Sequence, residues 1–181
     1  MKLTLTALTI VANMFASSAS AFDPDDLKKL KETNECVKCD LIGANLEDIN
    51  LEGANLEGAN LVIANLNGAN LKDANLRNAK LGDAYLIGAI LISADLRSAR
   101  LYGSNLSATN LTDANLSHAY LNGTYLNDAN LRGADLFMTN LSGANLRGAS
   151  LRDTNLETAK MKGAILCNTT MPDGSVIYND C

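Results

Sequence analysis

The sequence predicts an all-β solenoid, a chain wound into a closed coil with five residues on each side. Three observations predict it. Leu recurs at every fifth position from Leu41 to Leu156, 24 times without a miss, and Met161 and Leu166 extend the register to 26. Two residues before each Leu from Leu46 onward stands Ala, except at Ile49, Ser104, Thr109, Thr124, Thr139 and Thr154; the residue just before Leu is usually Asn, with Asp95 and Asp135 as close variants. Aromatic residues make up only 4 % of the 181 residues and Trp is missing, so the core must be filled by something small and uniform.

A period of five fits neither regular element. On an α-helix, five residues turn the Leu by about 500°, so the Leu positions define no face. On a flat strand, an odd period sends successive Leu to opposite sides. If each five residues form one side of a coil with a bend between sides, every Leu and the Ala two before it point inward together. The remaining positions face water, which suits their Asn, Asp, Arg, Lys and Ser.

Residues 1–21 read as an export signal. Lys2 supplies a positive start, LTLTALTIVANMF an apolar run, and Ala19-Ser20-Ala21 an A-x-A cleavage site. The run falls short of the ~20 residues that span a bilayer, and no twin-Arg pair precedes it, which favours the general secretory route. The mature chain is expected to begin near Phe22. A net charge of −5 is too mild for an acidic tail and has the wrong sign for a general nucleic-acid binder.

Residues 22–40 predict a capping α-helix followed by a CxxC. Asp23 is a good N-cap, Pro24 suits the first helical position, and Asp25 and Asp26 sit well in the first turn. Leu27 and Leu30, three apart, would face the first coil.

The A-[N/D]-L-x-x array over residues 41–166 resembles the pentapeptide-repeat family. The resemblance implies a right-handed quadrilateral β-helix with 20 residues per coil, hence about 6.5 coils. At ~4.8 Å between adjacent strands the rod would be roughly 30 Å long. The flanks are similar to those of exported bacterial members, which carry a short N-terminal helix, a CxxC before the first repeat and a C-terminal hook with two cysteines. A Leu/Ala interior leaves no ligand cavity.

Within that frame Cys36 falls five before Leu41, in the Leu register, and Cys39 two before it, in the Ala register, so both point into the first partial coil. Cys167 and Cys181 flank the hook, residues 167–181, where Pro172-Asp173-Gly174 reads as a tight turn. Pairing between the two ends would have to bridge most of ~30 Å against a Cα separation limit near 7 Å. The expected disulfides are therefore Cys36–Cys39 and Cys167–Cys181, in line with an oxidising compartment. A metal half-site at CVKC would need two more ligands, and the single His, His118, lies about four coils away. The N-x-[ST] matches along the array are by-products of the period.

With a generic core, information lies in outward deviations, found by stepping 20 residues along the chain. The side centred on Leu56, Leu76, Leu96, Leu116, Leu136 and Leu156 keeps Asn or Asp before every Leu and reads as plain. The column Asn60, Lys80, Arg100, Tyr120, Asn140, Lys160 is a broken ladder, with Tyr102 beside it. In the third coil Tyr85 and Ile90 take the outward Asn position and Ile87 and Ile92 the outward position after Leu, while Tyr125 lies two coils above Tyr85. Together they form a candidate apolar interaction patch. Acidic Glu47, Asp48, Glu52 and Glu57 crowd the first coil, and Arg132, Arg147, Arg152, Lys160 and Lys162 the last ones.

The expected function is an exported, non-enzymatic structural or protein-interaction module whose partner is an unidentified protein or a second copy. No catalytic residue, metal, cofactor, nucleic acid or small-molecule substrate is expected, nor any membrane contact after signal removal. The expected address is the periplasm, or the thylakoid lumen for a cyanobacterial source, with the extracellular space as a further option. One alternative is a thiol redox protein using Cys36 and Cys39. A redox CxxC normally sits at a helix N-terminus, whereas this one follows a helix. The family resemblance also raises DNA mimicry against a topoisomerase, as in some cytoplasmic members. The export signal and the Lys80, Arg100, Lys160 column argue against it.

Overall fold

Each five-residue unit makes one extended rung and one tight bend, and in a regular unit such as that of Leu76 every backbone N–H has its own destination. The computed structural model describes residues 22–178 and 181, so the expected export signal, 1–21, lies outside the described residues. Around Leu76, the Ala79 N–H donates to the Leu76 carbonyl at 3.1 Å and closes the bend. Asn75 N–H donates to the preceding coil (Ala54 O, 2.9 Å), and Leu76 and Asn78 N–H donate to the following one (Asp95 O, 2.8 Å; Arg97 O, 3.0 Å). The fifth donor, Arg77 N–H, goes to the Asn75 side-chain Oδ1 at 3.2 Å. No donor is left over, as a buried backbone requires. The recurring Asn before Leu thus has a hydrogen-bonding reason: it closes an Asx turn over its own rung.

Asn78 sits at φ 57°, the left-handed region. A bend bonded from residue 1 to residue 4 with positive φ only at its third residue has the sign pattern of a type II turn. That accounts for the Gly, Asn, Asp and Ser in this register. Lys38, Ala108, His118 and Met138 are exceptions, and Ile63, β-branched at φ 54°, is the costliest of them.

Parallel bridges join residues 20 apart, from Glu35↔Asn55 to Ser150↔Thr170, so four units complete a turn of the coil. Asn side chains reinforce the ladder, as where Asn70 Nδ2 donates to Asn50 Oδ1 at 3.0 Å. The ladder is interrupted on one side near its end: Asp135 bridges Asn115, but no bridge joins it to Asn155.

The Leu and Ala registers point inward and are closed off from water along the array from Leu41 to Leu151. Where Ser or Thr replaces Ala, the hydroxyl is buried but bonded. Thr109 Oγ1 donates to Leu106 O at 2.7 Å within its own unit, and Thr139 Oγ1 to Leu116 O at 2.8 Å across to the preceding coil. A buried hydroxyl therefore costs little here.

Helix α1, Pro24–Thr33, lies over the open first coil. Asp23 caps it by accepting Asp25 N–H at 2.9 Å, and Asn34 ends it at φ 60°. Leu30 is buried in the core and Leu27 packs against it. Asp26 Oδ2 accepts Asp40 N–H at 2.8 Å, and Asn34 Nδ2 donates to Glu52 O at 2.8 Å, tying the helix to the first coil. At the other end, β1 (Thr169–Thr170) and β2 (Val176–Ile177) pair antiparallel and fold the hook back. Among the described residues no helix is long and apolar enough to cross a membrane.

The core is thinnest at the C-terminal end, where Leu156, Met161 and Leu166 are only partly buried. Leu96→Ala, in a fully enclosed site, is expected to cost about 2–5 kcal/mol, and Leu156→Ala about half as much or less. Equilibrium denaturant unfolding of the two variants checks the difference.

Candidate interaction surface

Because Leu and Ala fill the inside, each face of the rod presents two outward columns, the residues just before and just after each Leu. The third coil breaks the polar pattern on two adjacent faces. Tyr85 and Ile87 are exposed on one and Ile90 on the next, with Gly88 at the bend between them. Tyr125 is exposed two coils away in the Tyr85 column. Ile92 departs from expectation: it is half-buried, so it forms the shielded edge of the patch and not part of its exposed crown. Tyr85 cannot supply the side-chain acceptor that Asn normally offers. Its place is taken by Asn67 in the preceding coil, whose Oδ1 accepts Ile87 N–H at 2.8 Å.

The broken-ladder column places Lys80, Arg100, Tyr120 and Lys160 in solvent. Tyr102, beside it, is exposed at its edge but lies across the buried Gly82, where an added Cβ would meet the Tyr102 ring at 2.6 Å. Gly82 is not in the left-handed region. Its missing side chain makes room for the ring and has nothing to do with the turn.

Other exposed apolar residues lie outside the predicted patch, Ile63, Phe137 and Met138 among them. Ile63 projects from a bend, and Phe137 and Met138 project from the side read as plain. Phe137 meets His118 edge-on at 5.5 Å between ring centroids, and this is the side where the ladder opens toward Asn155. The signal was available in the same columns, since Phe137 follows Leu136 directly. Checking only the residue before Leu hid it. His118 itself is exposed.

Cys36 and Cys39 form a disulfide (Cα–Cα 5.2 Å), as do Cys167 and Cys181 (4.9 Å), and among the described residues no cysteine is free. Cys36 and Cys39 are both buried beneath α1. Asp26 is near enough to share a metal with their sulfurs, but the sulfurs are bonded to each other. A hollow between α1 and the first coil, lined by residues including Leu30, Asn34, Ile49 and Glu52, lies outside the coil's interior.

Charged pairs are few and local. Lys72 Nζ lies 3.2 Å from Glu52 Oε1, and their hydrogen bond lowers the Glu52 pKa. Arg97 grips the Asp95 carboxylate with two nitrogens and holds it below the usual carboxylate range. Arg132 reaches Asp153 at 3.0 Å.

A family model described as pentapeptide repeats (8 copies) matches residues 35–73, 69–107, 109–148 and 135–171. Similar solved structures include a pentapeptide repeat protein from the thylakoid lumen of Arabidopsis thaliana, 29 % identical, covering 61 % of this chain and 70 % of that one with a TM-score of 0.45. Rfr23 from the cyanobacterium Cyanothece 51142 is 31 % identical, with 77 % and 92 % covered and a TM-score of 0.35. HetL of Nostoc sp. strain PCC 7120, involved in heterocyst differentiation regulation, is 30 % identical, with 79 % and 87 % covered and a TM-score of 0.30. No curated protein matches the sequence significantly.

Two outcomes are expected of this surface. Gly82→Ala should cost on the order of 1 kcal/mol by displacing the Tyr102 ring, and nothing in a Tyr102→Ala background, which a double-mutant unfolding cycle reads directly. Asp95→Asn keeps the acceptor for the Arg97 N–H and removes the charge. Because the folded pKa is depressed, the stability it gives is full above the ordinary carboxylate range and is lost as pH falls through the lowered value. The variant should therefore lose about 0.2–1 kcal/mol at neutral pH and match the parent in acid, as followed by unfolding across pH.

Proposed function

The chain belongs to the pentapeptide-repeat family, and from that premise we propose that it is an exported, non-enzymatic protein-interaction module working through its outer faces. The family fold makes the coil a right-handed β-helix. On this reading it is a rod of about 6.5 coils closed by α1 at one end and by the hook at the other.

The single observation that carries the reading is the filled interior. Leu and Ala close the coil to water from Leu41 to Leu151, so recognition is left to side chains on the outside. There a rigid backbone lattice holds Tyr85, Ile87 and Ile90 in solvent, where a monomer gains nothing from exposing them. Export is supported by the signal pattern of residues 1–21 and by two closed disulfides, which persist in oxidising compartments. The periplasm, or a thylakoid lumen, meets both conditions.

Cross-linking in the native host, followed by partner identification, tests the proposal. Ile87→Asp combined with Ile90→Asp, both exposed, should abolish the cross-linked species without moving the thermal unfolding midpoint. A partner that survives the double variant would show that the patch is not the contact.

A further inference from the structure

We infer that the face centred on Leu46, Leu66, Leu86, Leu106, Leu126 and Leu146 pairs with the same face of a second copy, the two rods running antiparallel. The inference rests on the reading of the rod as a protein-binding surface and names the occupant of one face.

Charge is the first argument. Between residues 45 and 147 the two outward columns of this face hold ten uncharged side chains and two charges, Glu47 in the first coil and Arg147 in the sixth. Both are exposed. Over the same span the other three faces carry three, five and two charges, the two being Lys80 and Arg100 with no acid between them, and none has a lone acid at one end balanced by a lone base at the other. A two-fold axis crossing the face midway between the coils of Ile87 and Ser107 sets Glu47 of each copy against Arg147 of the other. The same contact is therefore made twice. A parallel pair would instead put like charges at the same height.

The apolar side chains fit the same register. About that axis Tyr85 faces Asn105 of the other copy and Tyr125 faces Asn65. Along the interface the four tyrosines then alternate between copies at steps of one coil, about 4.8 Å, so they interdigitate and do not collide. The two Ile87 side chains become neighbours at the axis. Ile63, projecting from its left-handed bend, comes opposite Gly123, where even an added Cβ would meet nothing within 4 Å. One choice of axis, set by charge alone, thus places every exposed large side chain against a small or polar position.

The contact is one face wide and about five coil spacings, roughly 24 Å, between the charges. That area belongs to weak, reversible association, and the dimer is concentration-dependent.

Sedimentation equilibrium of the purified, oxidised protein tests this. A dimer is expected to grow with concentration, and Glu47→Arg or Arg147→Glu alone should raise its dissociation constant about tenfold. The two reversals together should restore it to within about threefold, because the pairs are re-formed with opposite sign. Tyr125→Asn, which installs the repeat's own residue and so keeps the fold, should also weaken the dimer. A monomer at all concentrations to about 1 mM overturns the inference. So does a double reversal no better than the singles, or a dimer indifferent to Ile87→Asp. A strictly monomeric protein that still loses a heterologous cross-link in the Ile87→Asp, Ile90→Asp variant overturns self-pairing alone and leaves the interaction reading standing.

Discussion

Everything in this molecule depends on the backbone bonding between successive coils. Each rung donates one N–H backward and two forward, one N–H closes the bend, and the Asn before Leu takes the last with its own side chain. A coil that satisfies all its donors this way can be repeated without change, and each new coil needs only the one before it. The requirement is local and strict, which explains why the sequence is so monotonous. Where Tyr85 takes the Asn position, Asn67 in the preceding coil supplies the acceptor for Ile87 N–H instead.

The same bonding empties the interior of chemical possibility. Four sides drawn together at a coil spacing near 4.8 Å leave room only for Leu and Ala-sized groups. Hydroxyls are admitted where they can bond a carbonyl, as at Thr109 and Thr139. Chemistry and recognition are thereby displaced to the outside, where a stiff lattice fixes the spacing of every exposed side chain. Such a surface is suited to matching another periodic surface, and a copy of itself has the same period by construction.

Both ends are places where the repeat cannot satisfy itself. The first coil has no predecessor, and α1 covers it with Leu30 while Asp26 and Asn34 take up backbone groups of the first coil that lack a preceding rung. The last coil has no successor, and the β1–β2 pair with Cys167–Cys181 closes it. Burial fades here, at Leu156, Met161 and Leu166, and the rung at Asn155 leaves the ladder. A solenoid's weakness lies at its termini because the missing neighbour removes half of each rung's partners.

The five-residue period and the inward Leu and Ala were legible in the sequence by themselves, because sterics and periodicity leave one arrangement that buries them. The exposed Tyr85, Ile87 and Ile90 could also be placed, since stepping 20 residues from a known register is arithmetic. What only the tertiary structure decided concerns side-chain length and lean. Ile92 turned out to be half-buried, Tyr102 lies over Gly82, Phe137 reaches back to His118, and Asn67 serves a neighbour's N–H. A register says which way a Cβ points, but several ångströms of side chain beyond it can fall on the coil before or after. That choice is made by the space its neighbours leave, and the neighbours are 20 residues away.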